Sequence, residues 1–437
     1  MFDHDCTIDS AVPPKEEHRL NRALARCIVD CLRMTGSPQE HLAEIQHFSR
    51  RDWDRTVFWL NGSGLAHYFL LRLRELQAEG AVPSEVLGRL AHNFAANQCR
   101  LEVMAGEFND LNHRLSGASL SYVAVKGFDL APDYCPNLSL RTWYSHEYLL
   151  PLGCFGRAQE VLEKAGYRLR AIGVRGEGVF SVQPLRTPAH PDECYTAGFK
   201  RLVVLQHRMW NADYSKVNVS PPADVLKRLR IANWQNVSFP VLADEDALIL
   251  SVLDTFEHIL NYWCKLSWLF EIAYLLQGRS ADSTFWQRFY DRIEHCGKLP
   301  EIAGAVFLLA LRFFRLEAPP AVRLRLSDLP CSLRIWVDHY GWEWASAKYP
   351  GSKLCLFLHR ELIQNQAAWR EVRRRRLFPI QRWHGSAEAD GSKLPARLDA
   401  RRSGWSHVLR RAKFHGVTTS QYAWEVPRWK RLLQGDS

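Results

Sequence analysis

The sequence has no Cys-x-x-Cys pair, and its 11 cysteines are scattered, the closest two being Cys27 and Cys31, one helical turn apart. An odd, dispersed set excludes a disulfide framework and gives structural zinc no ligand spacing. Reduced thiols serving as small apolar residues are the reading left. Long apolar runs are also missing: the longest, Ile302 to Leu311, falls well short of the ~20 residues that a bilayer-spanning helix requires. It reads as a core helix, and no transmembrane segment is expected. Met1-Phe2-Asp3-His4-Asp5 places acids where a signal peptide needs a basic segment and an apolar run, so a cytoplasmic location is expected. No internal repeat and no recognised nucleic-acid module is visible.

What is present is a 437-residue chain, 47% hydrophobic and 24% charged, enough for a large core in two or three packed sub-domains. The net charge of +10 is uneven. Residues 351–437 hold 18 Lys/Arg against 7 Asp/Glu, and the residues before them 39 against 40, so the basicity belongs to the tail.

Composition and periodicity divide the chain into five parts. Residues 1–16, with Pro13-Pro14, read as a flexible arm, and residues 17–117 as helical. The clearest helix starts at Pro83-Ser84, carries Leu87, Leu90, Phe94, Leu101, Met104, Phe108, Leu111 and Leu115 at three- and four-residue intervals, interrupted by Asn97, and ends at Gly117. Residues 118–240 read as a small α/β core. It has β-prone runs at Ser121–Val125, Thr142–Leu150, Gly178–Val182, Cys194–Phe199 and Arg201–Gln206, and a short helix between Phe155 and Ala165 closed by Gly166. Residues 241–350 return to helix, with one apolar face from Ile249 to Leu276 and acids at 244–246 where the helix dipole favours them. Residues 351–437 are basic and rich in Arg and Trp, with Gly and Pro punctuation around 379–404 that suggests looser structure. The fold class expected is α+β: a small mixed sheet flanked by helical regions.

The chemistry-bearing segment is Val125-Lys126-Gly127-Phe128-Asp129-Leu130 followed by Leu140-Arg141-Thr142-Trp143-Tyr144-Ser145-His146-Glu147-Tyr148-Leu149-Leu150-Pro151. A strand, a Gly-containing turn and a second strand bearing a polar-x-polar pair can hold a nucleoside triphosphate. Turn amides receive phosphate oxygens, and polar groups one residue apart on a strand share a face and can hold Mg²⁺. Read separately, Lys126-Gly127 is an ordinary turn with a surface lysine, and Glu147 a solvated strand residue. His207 is then a hydrogen-bonded core residue, and Trp263, Trp268 and Phe270 are core packing.

In order and spacing these motifs resemble the family of uncharacterised bacterial nucleotidyltransferases with a polymerase-beta-type core. The resemblance rests on Lys126-Gly127, Arg141, the strand ending Leu149-Leu150-Pro151, Gly166-Tyr167, Val204-Leu205-Gln206-His207 with Trp210, His258, and Leu266-Ser267-Trp268-Leu269-Phe270-Glu271-Ile272-Ala273. It covers roughly residues 45–320. It implies transfer of a nucleotidyl group from a nucleoside triphosphate to an acceptor, with Lys126, Gly127, Arg141 and Ser145 on the phosphates and Glu147 as catalytic metal ligand.

The family's two strand carboxylates fall on Ser145 and Glu147, and its third on Leu205. Mg²⁺ is therefore expected to be weakly held or lost; Asp129 and His146 are the substitutes at hand, but His146 is expected to face away from Glu147 and imidazole suits Mg²⁺ poorly. The alternative is a catalytically inactive pseudoenzyme working as a scaffold for an unidentified acceptor or protein partner. A third reading gives the cations of residues 370–413, including Arg373–Arg376, Arg382, Arg401 and Arg402, to nucleic acid or an anionic membrane surface.

Overall fold

A computed structural model describes residues 20–183, 191–198, 201–234, 237–347, 351–378 and 394–435. The arm at 1–16 and the 379–393 stretch lie outside them. The helices are α1 (Arg22–Cys31), α2 (Gln39–Ile45), α3 (Arg50–Gly62), α4 (Ala66–Glu75), α5 (Ser84–Gly117), α6 (Phe155–Lys164), the short α7 (Ala212–Ser215), α8 (Asp244–Leu260), α9 (Leu266–Gly278), α10 (Ser283–Ile293), α11 (Leu299–Phe314), α12 (Pro320–Ser327), α13 (Cys331–Ala345), α14 (Cys355–Leu362), α15 (Gln366–Leu377) and α16 (Leu394–Gly435). No described helix is long and apolar enough to cross a membrane.

A five-stranded sheet sits between the helices, built from β1 (Val123–Val125), β2 (Ser145–Leu149), β3 (Arg168–Ile172), β4 (Gly178–Ser181) and β5 (Leu202–Gln206) in the order β1-β2-β5-β4-β3. Only β2 and β5 are parallel, so the sheet is mixed and the α+β expectation holds. A separate hairpin of β6 (Leu229–Trp234) and β7 (Val237–Leu242) lies along β1 and leads into α8.

The long α5 covers one face of the sheet, and its buried line differs from the apolar stripe expected. Leu87, Phe94 and Leu101 are only partly covered, while Asn93, Asn97 and Arg100 are buried. Their polar groups have partners, as burial demands. Asn97 donates to the carbonyls of Ser139 and Arg141 (2.7 and 2.9 Å), and Arg100 donates to that of Trp143 (2.6 Å). The residue that seemed to interrupt the helix thus anchors the segment entering β2.

Two further expectations change. Of the run expected at Cys194–Phe199, the described residues 194–198 form no strand, Phe199 lying outside the described residues; β5 already has β2 and β4 on its two sides, and Pro191–Tyr195 forms a 3-10 turn whose Tyr195 hydroxyl reaches Asn61 (3.0 Å). The helix from 244 onward is two helices, α8 and α9, broken where Tyr262 takes a left-handed backbone (φ 86°).

The basic tail is partly structural. Arg376 is buried, bonded to Asn261 and set over the Tyr262 ring (5.0 Å), and Arg375 lies over Tyr214 (4.4 Å). Arg370, Arg373 and Arg374 are exposed. Arg382 lies outside the described residues, and Arg401 and Arg402 fall on α16, whose side chains are described from 411 onward.

Here α16 is pinned to the body by Lys353, fully buried, whose Nζ donates to Thr419 Oγ1 (2.6 Å) and faces the carbonyls of Leu377 and His415. Burial pushes this amine down to about 8, so the folded state resists protonating it. The resulting cost is fully present below the folded value and disappears as the pH rises from there to the ordinary lysine range. Between those limits wild-type stability is expected to rise relative to a Lys353→Met variant. Parallel stability–pH curves for the two proteins would contradict this.

Candidate functional site

The edge strand β1 ends in a turn at Lys126, which adopts a left-handed backbone (φ 62°), an unusual choice for a residue with a side chain. Such strain persists where the surroundings over-determine it. Arg141 helps do so by donating from Nη1 to the Lys126 carbonyl (3.3 Å). The turn delivers the Lys126 ammonium over the face of the sheet opposite α5. There it meets Glu147 Oε2 at 3.0 Å and Asp254 Oδ1, from α8, at 2.6 Å.

Registration explains which side chains share that face. Val125 pairs with Glu147 and Glu147 with Val204, and directly paired residues project to the same side. Ser145, two residues before Glu147, donates from Oγ to Glu147 Oε1 (2.9 Å). His146 points the other way, to Glu107 of α5 (3.4 Å). Leu205 also faces α5, since it pairs with Tyr148, whose hydroxyl meets Asn112. The residue that β5 presents beside Glu147 is Val204, and the face continues with Val179, Ala171 and Leu202, all apolar.

A second cation completes the cluster. Arg175, in the turn between β3 and β4, is buried, with Nη2 3.0 Å from Asp254 Oδ1 and Nε 3.2 Å from Glu257 Oε2. Its backbone N–H donates to Glu177 Oε2 (2.6 Å). Glu257 is one turn beyond Asp254 on α8, and His258 Nδ1 donates to the Asp254 carbonyl (2.8 Å). The cluster thus groups Lys126 and Arg175 with Glu147, Glu177, Asp254 and Glu257.

Electrostatics keep the central groups ionised. Burial opposes charge on Lys126 and Arg175, but Asp254 and Glu147 outweigh it at the first, and Glu257, Asp254 and Glu177 at the second, so both cations lie above their usual values. Burial pushes the Asp254 carboxyl up, yet Lys126 and Arg175 more than reverse this and hold it well below the carboxylate range.

The other residues assigned to phosphate have partners of their own. The Gly127 N–H donates to Asp129 Oδ1 (2.8 Å). Burial raises the Asp129 carboxyl despite that bond. Arg141 is buried in a bidentate pair, Nε to Glu271 Oε1 (2.9 Å) and Nη2 to Glu271 Oε2 (3.1 Å), and the Tyr68 hydroxyl also donates to Oε1 (3.1 Å). His207, near the end of β5, is an edge-on neighbour of Phe155 (6.1 Å), and its imidazole is lowered by burial and by Arg208.

Sequence reasoning missed Asp254, Glu257, Arg175 and Glu177. A signal for the first two was available, an acid pair three residues apart beyond the acidic first turn of α8 and among its buried apolar residues. Among the described residues no group of three or more His, Cys, Asp or Glu is arranged to hold a metal ion.

Comparison with known proteins adds one match. A family model described as uncharacterised nucleotidyltransferase fits residues 49–315, from the Ser49 cap of α3 to Arg315, the left-handed residue that ends α11. No curated protein matches the chain. The matched stretch is well over half of the sequence and contains the whole sheet and its charged cluster, so the chain belongs to the uncharacterised nucleotidyltransferase family.

Proposed function

We propose that the protein is a nucleotidyltransferase-fold member whose triphosphate platform is closed by the chain's own carboxylates, and that it works by binding a partner rather than by transferring a nucleotidyl group. One observation carries this reading: each donor that the resemblance assigns to phosphate already serves an internal carboxylate. Lys126 serves Glu147 and Asp254, the Gly127 amide serves Asp129, and Arg141 serves Glu271. A triphosphate entering here must displace carboxylates from buried cations, and each buried ion pair broken leaves a charge with an uncompensated desolvation cost.

The donor set also fits a pair of Mg²⁺ ions poorly. Hard cations need several anionic oxygens in strict geometry. Glu147 is the one carboxylate on its sheet face, beside Ser145 and Val204, and it is shared between Ser145 and Lys126. If transfer did occur, the family's reaction would join the nucleotidyl phosphorus to an acceptor oxygen and release pyrophosphate, with Glu147 and Asp254 as the available anionic groups.

Thermal unfolding with each nucleoside triphosphate and Mg²⁺ at millimolar concentration tests the reading, because a ligand that prefers the folded state raises the melting temperature by mass action. No rise is expected. A concentration-dependent rise that Glu147→Ala abolishes would establish a working nucleotide site.

A further inference from the structure

The arrangement of charge around Lys126 says more than that the platform is closed. Two carboxylates from different elements, Glu147 on β2 and Asp254 on α8, converge on one ammonium at 3.0 and 2.6 Å. The lysine that supplies it is held in a left-handed turn, and Arg141 bonds the carbonyl of that same residue. All three side chains are largely shielded, with 16%, 19% and 11% exposure for Lys126, Glu147 and Asp254. Facing carboxylates in a shielded site repel one another unless a cation lies between them. Here the chain itself provides that cation.

We propose that the Lys126 ammonium is the resident counter-cation of this site, filling the place between Glu147 and Asp254 that a divalent ion would otherwise take, so that the protein takes up neither Mg²⁺ nor Mn²⁺. The proposal rests on the closed-platform reading but concerns the cation alone, with no nucleotide present. It also assigns a role to Asp254 and makes Arg141 a positioning residue, acting through the Lys126 carbonyl. An ammonium offers three N–H donors and a single charge, and Arg175 adds a second charge at the same Asp254 oxygen, Oδ1. Lys126 and Arg175 together bring to Asp254 the two positive charges that one divalent ion carries.

The test uses the full chain and Mn²⁺ as probe. Electron paramagnetic resonance titration of the wild type is expected to show no saturable Mn²⁺ uptake, and EDTA is expected to leave its melting temperature unchanged. Lys126→Met, which keeps an unbranched side chain and removes the charge, is expected to lower the melting temperature by several degrees. Adding Asp254→Asn to it recovers much of the loss, because one of the facing charges is then gone. Saturable Mn²⁺ uptake by the wild type that Glu147→Gln abolishes would overturn the proposal. So would a Lys126→Met protein as stable as the wild type. If Lys126→Met alone does not fold, the Lys126→Met/Asp254→Asn protein decides: folding of the double variant supports the proposal, and its failure to fold overturns it. Nucleotide binding without any Mn²⁺ uptake would refute the closed platform while leaving this inference standing, and the reverse result would do the opposite.

Discussion

Arg141→Ala is expected to lower the unfolding free energy by about 3–5 kcal/mol, the range seen when one partner of a buried ion pair is removed. Both side chains of the pair with Glu271 are 6% exposed, so the carboxylate left behind loses its guanidinium and keeps the Tyr68 hydroxyl as donor. The effect separates two roles. An arginine serving phosphate alone would, when lost, weaken nucleotide binding and leave stability unchanged. An arginine that ties α9 to the Lys126 turn takes the fold with it. Urea unfolding measures the difference, and an Arg141→Met/Glu271→Leu protein is expected to regain most of the loss, because replacing both members of a buried pair by apolar groups costs little. A stable Arg141→Ala protein would contradict the account.

Arg175→Ala is expected to have an effect of similar size. Its guanidinium serves Asp254 and Glu257 together, and its own backbone N–H holds Glu177. Removing the side chain takes the guanidinium from Asp254 and Glu257 while Glu177 keeps the backbone N–H, a loss of about 3–5 kcal/mol if the cluster behaves as other buried pairs do. The pH dependence has a definite sign. Asp254 is held below the ordinary carboxylate range in the folded state, so the stability it contributes is fully present above that range and is lost progressively as the pH falls from it through the lower folded value. The gap between wild type and Arg175→Ala is therefore expected to be widest near neutral pH and to narrow in acid. A gap independent of pH would point to lost packing instead of lost charge.

Much of the scaffold was legible in the sequence, for physical reasons that can be named. The helix of α5 ends at Gly117 and that of α6 just before Gly166, which takes a positive φ of 90°. The strands β1, β2, β4 and β5 carry β-prone residues at the expected places. In the hairpin of β6 and β7 the polarity of β6 runs backwards: Leu229 and Ile231 face solvent, while Arg230 lies on the more covered side, bonded to Asp244. Strand β7 does carry a period-two apolar face, with Phe239 and Val241 buried, and that signal was available in the sequence. The break between α8 and α9 carries neither Gly nor Pro; Tyr262 makes the turn.

The site was half legible. Lys126, Ser145 and Glu147 lie together as a turn and a period-two strand within one short segment suggest, and Arg141 reaches the Lys126 carbonyl. Their partners come from afar: Asp254 lies 128 residues beyond Lys126, and Glu271 lies 130 beyond Arg141. Periodicity along one helix says that such an acid sits among apolar residues and nothing about which cation it meets. The same limit misplaced the third carboxylate position. Counting along β5 gave Leu205, whereas pairing with β2 puts Val204 beside Glu147. Register between strands is a property of the folded sheet.

Calorimetric titration of a nucleoside triphosphate with Mg²⁺ into the intact protein tests the central claim most directly, because it asks whether phosphate can compete with Glu147, Asp254, Asp129 and Glu271 for the donors they hold. The account predicts no saturable heat at millimolar nucleotide, for wild type and Glu147→Ala alike. Stoichiometric binding by the wild type, lost in Glu147→Ala, would contradict it.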